Sequence, residues 1–128
     1  PMIKYLQGDN KIIVKEGYIS NRIHVEDLSS FTLQYIKNNY NEKILNISDQ
    51  KKVSSYDAIK FVCNELNLVE PKVIRYDPKK VSKMLKSFYE VNRTVKSNII
   101  NHTISYKFKY PDYKFALLSL TKSLLDSD

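Results

Sequence analysis

Residues 21–28 read NRIHVEDL, and at this stretch an extended segment gives way to a helix. The β-branched residues of 19–25 favour an extended backbone before the junction. Asp27 can cap a helix that runs to about Asn38, because a carboxylate accepts hydrogen bonds from the first free N–H groups. The apolar residues of this helix fall on one face: Leu28, Phe31, Tyr35 and Ile36. The stretch therefore predicts a strand followed by an amphipathic helix.

Strand-like and helix-like segments alternate on both sides of that junction. Strands are predicted over residues 11–14, 43–48, 72–76 and 106–110. Four further helix starts are predicted. The first follows Ser54, whose partner Asp57 completes a capping box, and the second lies at Asp77-Pro78. The third follows Ser97 and begins a short helix through Ile104, and the fourth follows Pro111. This order predicts an α/β fold in one partial domain over residues 1–128. A continuous parallel sheet needs more buried strands, so the pattern suggests that half of a larger fold is missing.

The composition indicates a packed, intracellular chain. Of the 128 residues 42% are hydrophobic, which is enough for a core, and no apolar run reaches the length of a membrane span. Cys63 is the single cysteine, so no internal disulfide can form. The start of the chain has no signal-peptide pattern, which together with the lone thiol favours the reducing cytoplasm. We therefore expect a cytoplasmic location.

The net charge of +7 permits attraction to nucleic acid or to acidic surfaces. Only three of the 21 basic residues are arginine, the side chain that reads base edges with two hydrogen bonds. Specific nucleic-acid binding is therefore an unfavoured reading. A biased lysine-rich composition explains the charge as well.

Glycine is scarce, and this excludes two kinds of nucleotide site. The chain contains two glycines, Gly8 and Gly17. A dinucleotide-binding turn needs three within a short fingerprint, and a phosphate loop needs two followed by Lys and Ser or Thr. Neither motif can be built, so we expect no cofactor site in this chain.

Two tyrosine–lysine pairs have the spacing of a dehydrogenase catalytic pair. They are Tyr76 with Lys80, and Tyr110 with Lys114. The lysine of such a pair lowers the tyrosine pKa only when both lie one turn apart on a helix. Pro78 and Pro111 each separate the tyrosine from the helix that follows, so we expect both pairs to be coincidental. The acidic and histidine residues of 24–27 are likewise better explained by a strand end and a helix cap than by a metal site.

Five segments resemble, in order along the chain, one protein family. They are 21–28 (NRIHVEDL, similar to R-I-H-V-x-D), 44–49 (ILNISD, similar to Y-N-V-S-D), 78–88 (PKKVSKMLKSF, similar to S-x-M-x-R-S-F), 92–98 (NRTVKSN, similar to N-[KR]-R-V-S-N) and 106–113 (YKFKYPDY, similar to Y-P-[DT]-Y). The family is the extended short-chain dehydrogenase/reductases, the NAD-dependent epimerase/dehydratase type. The resemblance covers nearly the whole chain and corresponds to the C-terminal half of the family.

The resemblance implies a substrate-side lobe of a Rossmann-type oxidoreductase. The family's glycine-rich loop and catalytic tyrosine and lysine lie upstream of this region, so NAD(P) would be bound by an N-terminal half. Three cations are implied as substrate contacts for an anionic group: Arg22, Lys86 and Arg93. Lys86 stands where the family has Arg, which keeps the charge but loses the two-pronged hydrogen bond. Ser20 stands where sugar-nucleotide epimerases have Arg, which argues against a sugar nucleotide as substrate.

Three functions remain open at this point. The first is a substrate lobe that is active only with an N-terminal half, and it requires an exposed apolar surface where that half docks. The second is a stand-alone interaction module that lost catalysis and covers the same surface by self-association. The third, a basic nucleic-acid binder, requires binding that weakens steeply with salt.

Overall fold

The computed structural model describes residues 2–98 and 104–126. Within them the chain forms five helices and a two-stranded parallel sheet, which confirms the predicted α/β class. The elements in order are α1 (Met2–Leu6), β1 (Lys11–Val14), α2 (Val25–Lys37), α3 (Ser55–Glu65), β2 (Lys72–Arg75), α4 (Lys83–Glu90) and α5 (Tyr113–Leu125).

The sheet joins two segments that are far apart in sequence. Lys11 pairs with Lys72 and Val14 with Arg75, in parallel register. Parallel strands need a crossover connection, and here that connection carries both α2 and α3. The pairing therefore brings the two ends of the segment between residues 15 and 71 side by side.

The larger of two core clusters lies between β1, α3 and α5. Ile12 of β1 packs with Met2 and with the buried face of α3, formed by Ile59, Val62 and Cys63. Leu117 and Leu118 of α5 close the cluster from the other side. Val62 and Cys63 have no exposed surface at all. The helical spacing of Ile59, Val62, Cys63 and Leu66 predicts this apolar face, and all four side chains pack in the cluster.

A second, smaller cluster anchors α2. Phe31 packs with Ile104, and both side chains are 1% exposed. Beside them the buried carboxylate of Asp27 accepts hydrogen bonds from Tyr106 Oη at 3.0 Å and from the backbone N–H groups of Lys109 and Tyr110, both at 2.8 Å. Asp27 is therefore a tertiary anchor and not the helix cap that the sequence suggested. The cap of α2 is His24, whose Nδ1 accepts from Glu26 N at 3.2 Å.

Two helix starts differ in their outcome. Ser54 caps α3 as predicted, with Ser54 Oγ accepting from Asp57 N at 3.0 Å. The helix predicted to begin at Asp77-Pro78 begins instead at Lys83, and Ser82 caps it. Asp77 caps only a turn, accepting from Lys79 N at 2.9 Å. The Asp77 side chain therefore accepts a backbone N–H as a cap does, but it closes a turn and does not start a helix.

Three predicted strands are absent from the described residues. The segment 43–48 is irregular, and Ile44 is 83% exposed. Residues 19–25 contain a single bridge, from Ser20 to Val53, and 106–110 contains none. Side chains supply the missing pairing, as shown below for Asn21. The short helix predicted through Ile104 falls largely on residues 99–103, outside the described residues.

We predict that Asp27→Ala lowers the free energy of unfolding by about 3 kcal/mol, because it leaves two backbone N–H groups and a phenol without their acceptor. Tyr106→Phe removes one of the three bonds and should cost about 1 kcal/mol. Urea denaturation of the three proteins measures both losses. Equal losses for the two variants would contradict the anchoring role of Asp27.

Candidate functional site

Arg22 is turned inward and holds two segments together. Its Nη1 donates to Val53 O at 2.8 Å and to Ser20 O at 3.4 Å, and its Nη2 donates to Ser55 Oγ at 3.3 Å. Burial lowers the pKa of this guanidinium, while the nearby carboxyl of Asp49 acts in the opposite direction. These contacts clamp the Ser20–Val53 bridge to the first residue of α3. A role of Arg22 in binding substrate stays a prediction.

Lys86 and Arg93 are exposed on neighbouring elements of the chain. Lys86 is exposed on α4, and Arg93 is exposed on the irregular segment that follows this helix. Arg93 lines an open cavity of about 380 Å³ with Tyr18, Ser87 and Glu90. Both cations can reach a solvent-borne anion from here. Their segment does run beside that of Arg22, but the guanidinium of Arg22 points to α3.

Asparagine side chains make this side-by-side arrangement. Asn92 Nδ2 donates to Gly17 O at 2.8 Å, and Asn92 Oδ1 accepts from Ile19 N at 3.3 Å. Asn21 repeats the pattern with Val95, accepting from its N–H at 2.8 Å and donating to its carbonyl at 3.3 Å. Each amide thus pairs with a backbone as a second strand would. Sequence reasoning noted Asn92 only as part of the family resemblance.

A polar cluster that the sequence analysis missed surrounds Asp49. This carboxyl is 3% exposed, and its Oδ1 accepts from Lys51 N at 3.3 Å. Burial raises the pKa of Asp49 to about 6, the Lys51 N–H and Arg22 oppose the rise, and Asp112 adds to it. Lys51 forms an ion pair with Asp112 at 2.9 Å, which raises the pKa of the lysine. A signal did exist, because Asp49 directly follows the apolar run 43–48, but no rule of spacing connects it to Arg22.

An apolar surface extends from β1 to α4, and we call it the docking face. Its centre is a cavity of about 390 Å³, lined by Ile12, Ile13, Pro71, Leu85 and Phe88 among others. At its edge Phe88 is 58% exposed. Met84, one turn earlier on α4, is 82% exposed. The helical spacing of Val81, Met84, Leu85 and Phe88 predicts an apolar helix face. Val81 precedes α4 in the structure, and the rest of this face is only partly covered.

The described residues give no geometric support to a tyrosine–lysine catalytic pair or to a metal site. Tyr76 and Tyr110 both lie outside the helices, as expected, and Lys114 Nζ lies over the Phe61 ring at 4.9 Å. His24 is buried, stacks on Tyr110 at 3.8 Å and has no hydrogen-bond partner for its Nε2. Within 2–98 and 104–126, no three His, Cys, Asp or Glu residues are grouped so that they could hold a metal ion.

The pKa of Asp49 leads to a prediction about stability and pH. Its folded value of about 6 lies above its ordinary value of 3.8, so the folded state holds a proton that the unfolded state releases. The free energy of unfolding should therefore fall as the pH rises from about 4 to about 6, by at most about 3 kcal/mol. Asp49→Asn should remove this component. Urea unfolding of both proteins at several pH values tests it, and parallel pH curves would contradict it.

Comparison with known proteins places the fold but not the activity. No protein-family model matches the chain, and no curated protein matches it. A solved structure, "The structure of a functionally unknown conserved protein from Silicibacter pomeroyi DSS", is similar with a TM-score of 0.78 and 26% sequence identity. The match covers 88% of this chain and 40% of that protein. In the described part of the chain, no helix has the length and apolar character needed to cross a membrane. This chain is thus similar to less than half of the length of that protein.

Proposed function

We propose that this chain is the substrate-binding C-terminal part of an NAD(P)-dependent epimerase, dehydratase or reductase, and that it is inactive alone. The ordered resemblance of five segments supports this proposal, as does the α/β fold. The similarity to 40% of a longer protein fits it too, because more than half of that protein lies outside the matched part.

The observation that carries the proposal is the uncovered apolar surface. Parallel sheets are normally covered on both faces. Here all four residues of β2 are exposed, including Val73 at 51% and Ile74 at 44%. The docking face adds Met84 and Phe88 of α4 and an apolar cavity. A chain with this surface gains free energy when another polypeptide covers it, since each buried Å² of apolar area contributes about 25 cal/mol.

The proposed occupant of the docking face is the nucleotide-binding half. Two glycines cannot form a dinucleotide-binding turn, so the cofactor must come with that half. Lys86 lies on α4, the helix that carries Met84 and Phe88 of the docking face, and Arg93 follows this helix and lines a cavity with Phe88. Cations at this border would meet an anionic substrate held between the two halves. Arg22 belongs to the proposed set on the family resemblance alone, because its guanidinium bonds to Ser20, Val53 and Ser55 in the structure.

One alternative uses the same observation. A stand-alone interaction module would cover the docking face with a second copy of this chain. This alternative makes one different prediction. The purified chain would form a defined dimer without any other polypeptide. Nucleic-acid binding is a weaker candidate that rests on the net charge of +7 alone.

We predict that the purified chain binds neither NAD nor NADP, and that an antibody raised against it detects in its own cells a polypeptide of about twice this length, typical of a two-part enzyme. Immunoblotting and cofactor titration by fluorescence measure the two properties. Tight cofactor binding by the chain alone would contradict the proposal. A native band near 15.0 kDa would direct the search to a separate partner chain.

We also predict that Met84→Asp weakens association with the nucleotide-binding half at least about tenfold, which equals about 1.4 kcal/mol, when the two halves are expressed as separate chains. A charge on the docking face would have to be desolvated on association. Ile44→Asp is the matched control, because Ile44 is 83% exposed but lies outside this face, while Met84 is 82% exposed. Calorimetric titration of one half with the other gives the affinities. An equal effect of both variants would contradict the proposed face.

A further inference from the structure

A small polar cavity lies apart from the docking face. Its volume is about 220 Å³, and it is lined by Asn21, Ser48, Asp49, Lys52, Lys96 and Ser97 among others. None of its lining residues lines the apolar cavity of the docking face. Three separate segments meet here, so the cavity exists only in the folded chain.

The floor of this polar cavity is built from buried hydrogen-bonding groups. Ser48, Asp49 and Ser97 are 2%, 3% and 3% exposed. Ser97 Oγ accepts from Ser48 N at 3.4 Å, and Ser48 Oγ accepts from Asn21 Nδ2 at 3.2 Å. These bonds hold the floor groups in place, which compensates for part of the cost of burying them. The hydroxyl proton of Ser97 can be donated to a ligand, and the Asp49 carboxylate can accept from a ligand hydroxyl.

The rim of the polar cavity carries two cations. Lys52 and Lys96 are both exposed, and Lys52 Nζ donates to Thr94 Oγ1 at 3.2 Å. An ammonium group binds phosphate as a point charge, with up to three donors. The cavity therefore offers hydroxyl-binding groups at its floor and positive charge at its mouth.

We propose that this cavity binds a small hydroxylated phosphate monoester, with the phosphate at Lys52 and Lys96 and the hydroxyl groups at Asp49 and Ser97. The volume limits the ligand, because drug-sized pockets measure about 300–1,000 Å³ and this one is smaller. The proposal does not depend on the docking face or on the nucleotide-binding half. It adds a second site to the chain, on the side held together by Asn21.

The test is an NMR titration of the isolated chain with glycerol 3-phosphate as the probe. Binding is detected by the changes in amide chemical shifts. We expect saturable shifts centred on residues 21, 48–52 and 95–97, and affinity at least about tenfold higher than for inorganic phosphate or glycerol. The double variant Lys52→Ala, Lys96→Ala should weaken the affinity at least about fivefold, and Ser97→Ala should weaken it by a smaller factor. The matched control is Lys79→Ala, Lys80→Ala, two exposed lysines outside the cavity.

Three results would overturn the proposal. The first is the absence of saturable shifts at about 10 mM probe, a concentration at which binding with a Kd of about 1 mM would still be seen. The second is an equal affinity for inorganic phosphate and for the ester. The third is an equal loss of affinity in the two lysine double variants. Vesicles that contain phosphatidic acid present the same headgroup on a lipid. Binding to these vesicles without saturable shifts from the free ester would also overturn it, because the site would then be a surface for lipid. The docking experiments are separate, so either proposal can fail alone.

Discussion

The parallel pairing of β1 with β2 is the constraint on which the rest of the chain depends. Two strands of four residues each form few hydrogen bonds, yet their register brings residue 11 beside residue 72. A connection that leaves one strand and returns to pair in parallel must cross the sheet, and α3 packs on β1 as it does so. In the described part of the chain, α3 covers the sheet at β1, and all four residues of β2 stay exposed. The core and the docking face thus have a common origin.

Side chains rather than strands hold the remaining segments. Asn21 pairs with Val95 on the segment after α4, and Asn92 on that segment pairs with Gly17 and Ile19 after β1. Arg22 ties the Ser20–Val53 bridge to α3, and Asp27 binds the segment before α5. Such bonds satisfy backbone groups that irregular segments would otherwise bury without partners. They also explain how long irregular segments keep defined places although the described residues form a single short sheet.

The chain presents two chemically different surfaces. One is the docking face, which is apolar and meets the cavity of Arg93 at Phe88. The other is the polar cavity at Asp49, where burial and Asp112 raise the pKa and Arg22 opposes the rise. In our proposals the first surface completes a cofactor-dependent enzyme and the second holds a phosphate ester. The excess of lysine is compatible with both, since each site places cations where an anion would arrive.

The sequence by itself determined the α/β class, the apolar face of α3 and its Ser54 cap, and the exclusion of a glycine-rich nucleotide loop. Each of these depends on residues close together in the chain or on a simple count. Only the tertiary structure decided that Asp27 is an anchor and His24 the cap, that residues 43–48 form no strand, and that the Arg22 guanidinium bonds to Val53 and Ser55. The Asp49 cavity was equally out of reach. The partners of Asp27, Arg22 and Asp49 lie tens of residues away, and a hydrogen bond or a shared cavity between distant segments leaves no periodic trace in the sequence. The His24 cap is local, but histidine is not among the preferred cap residues.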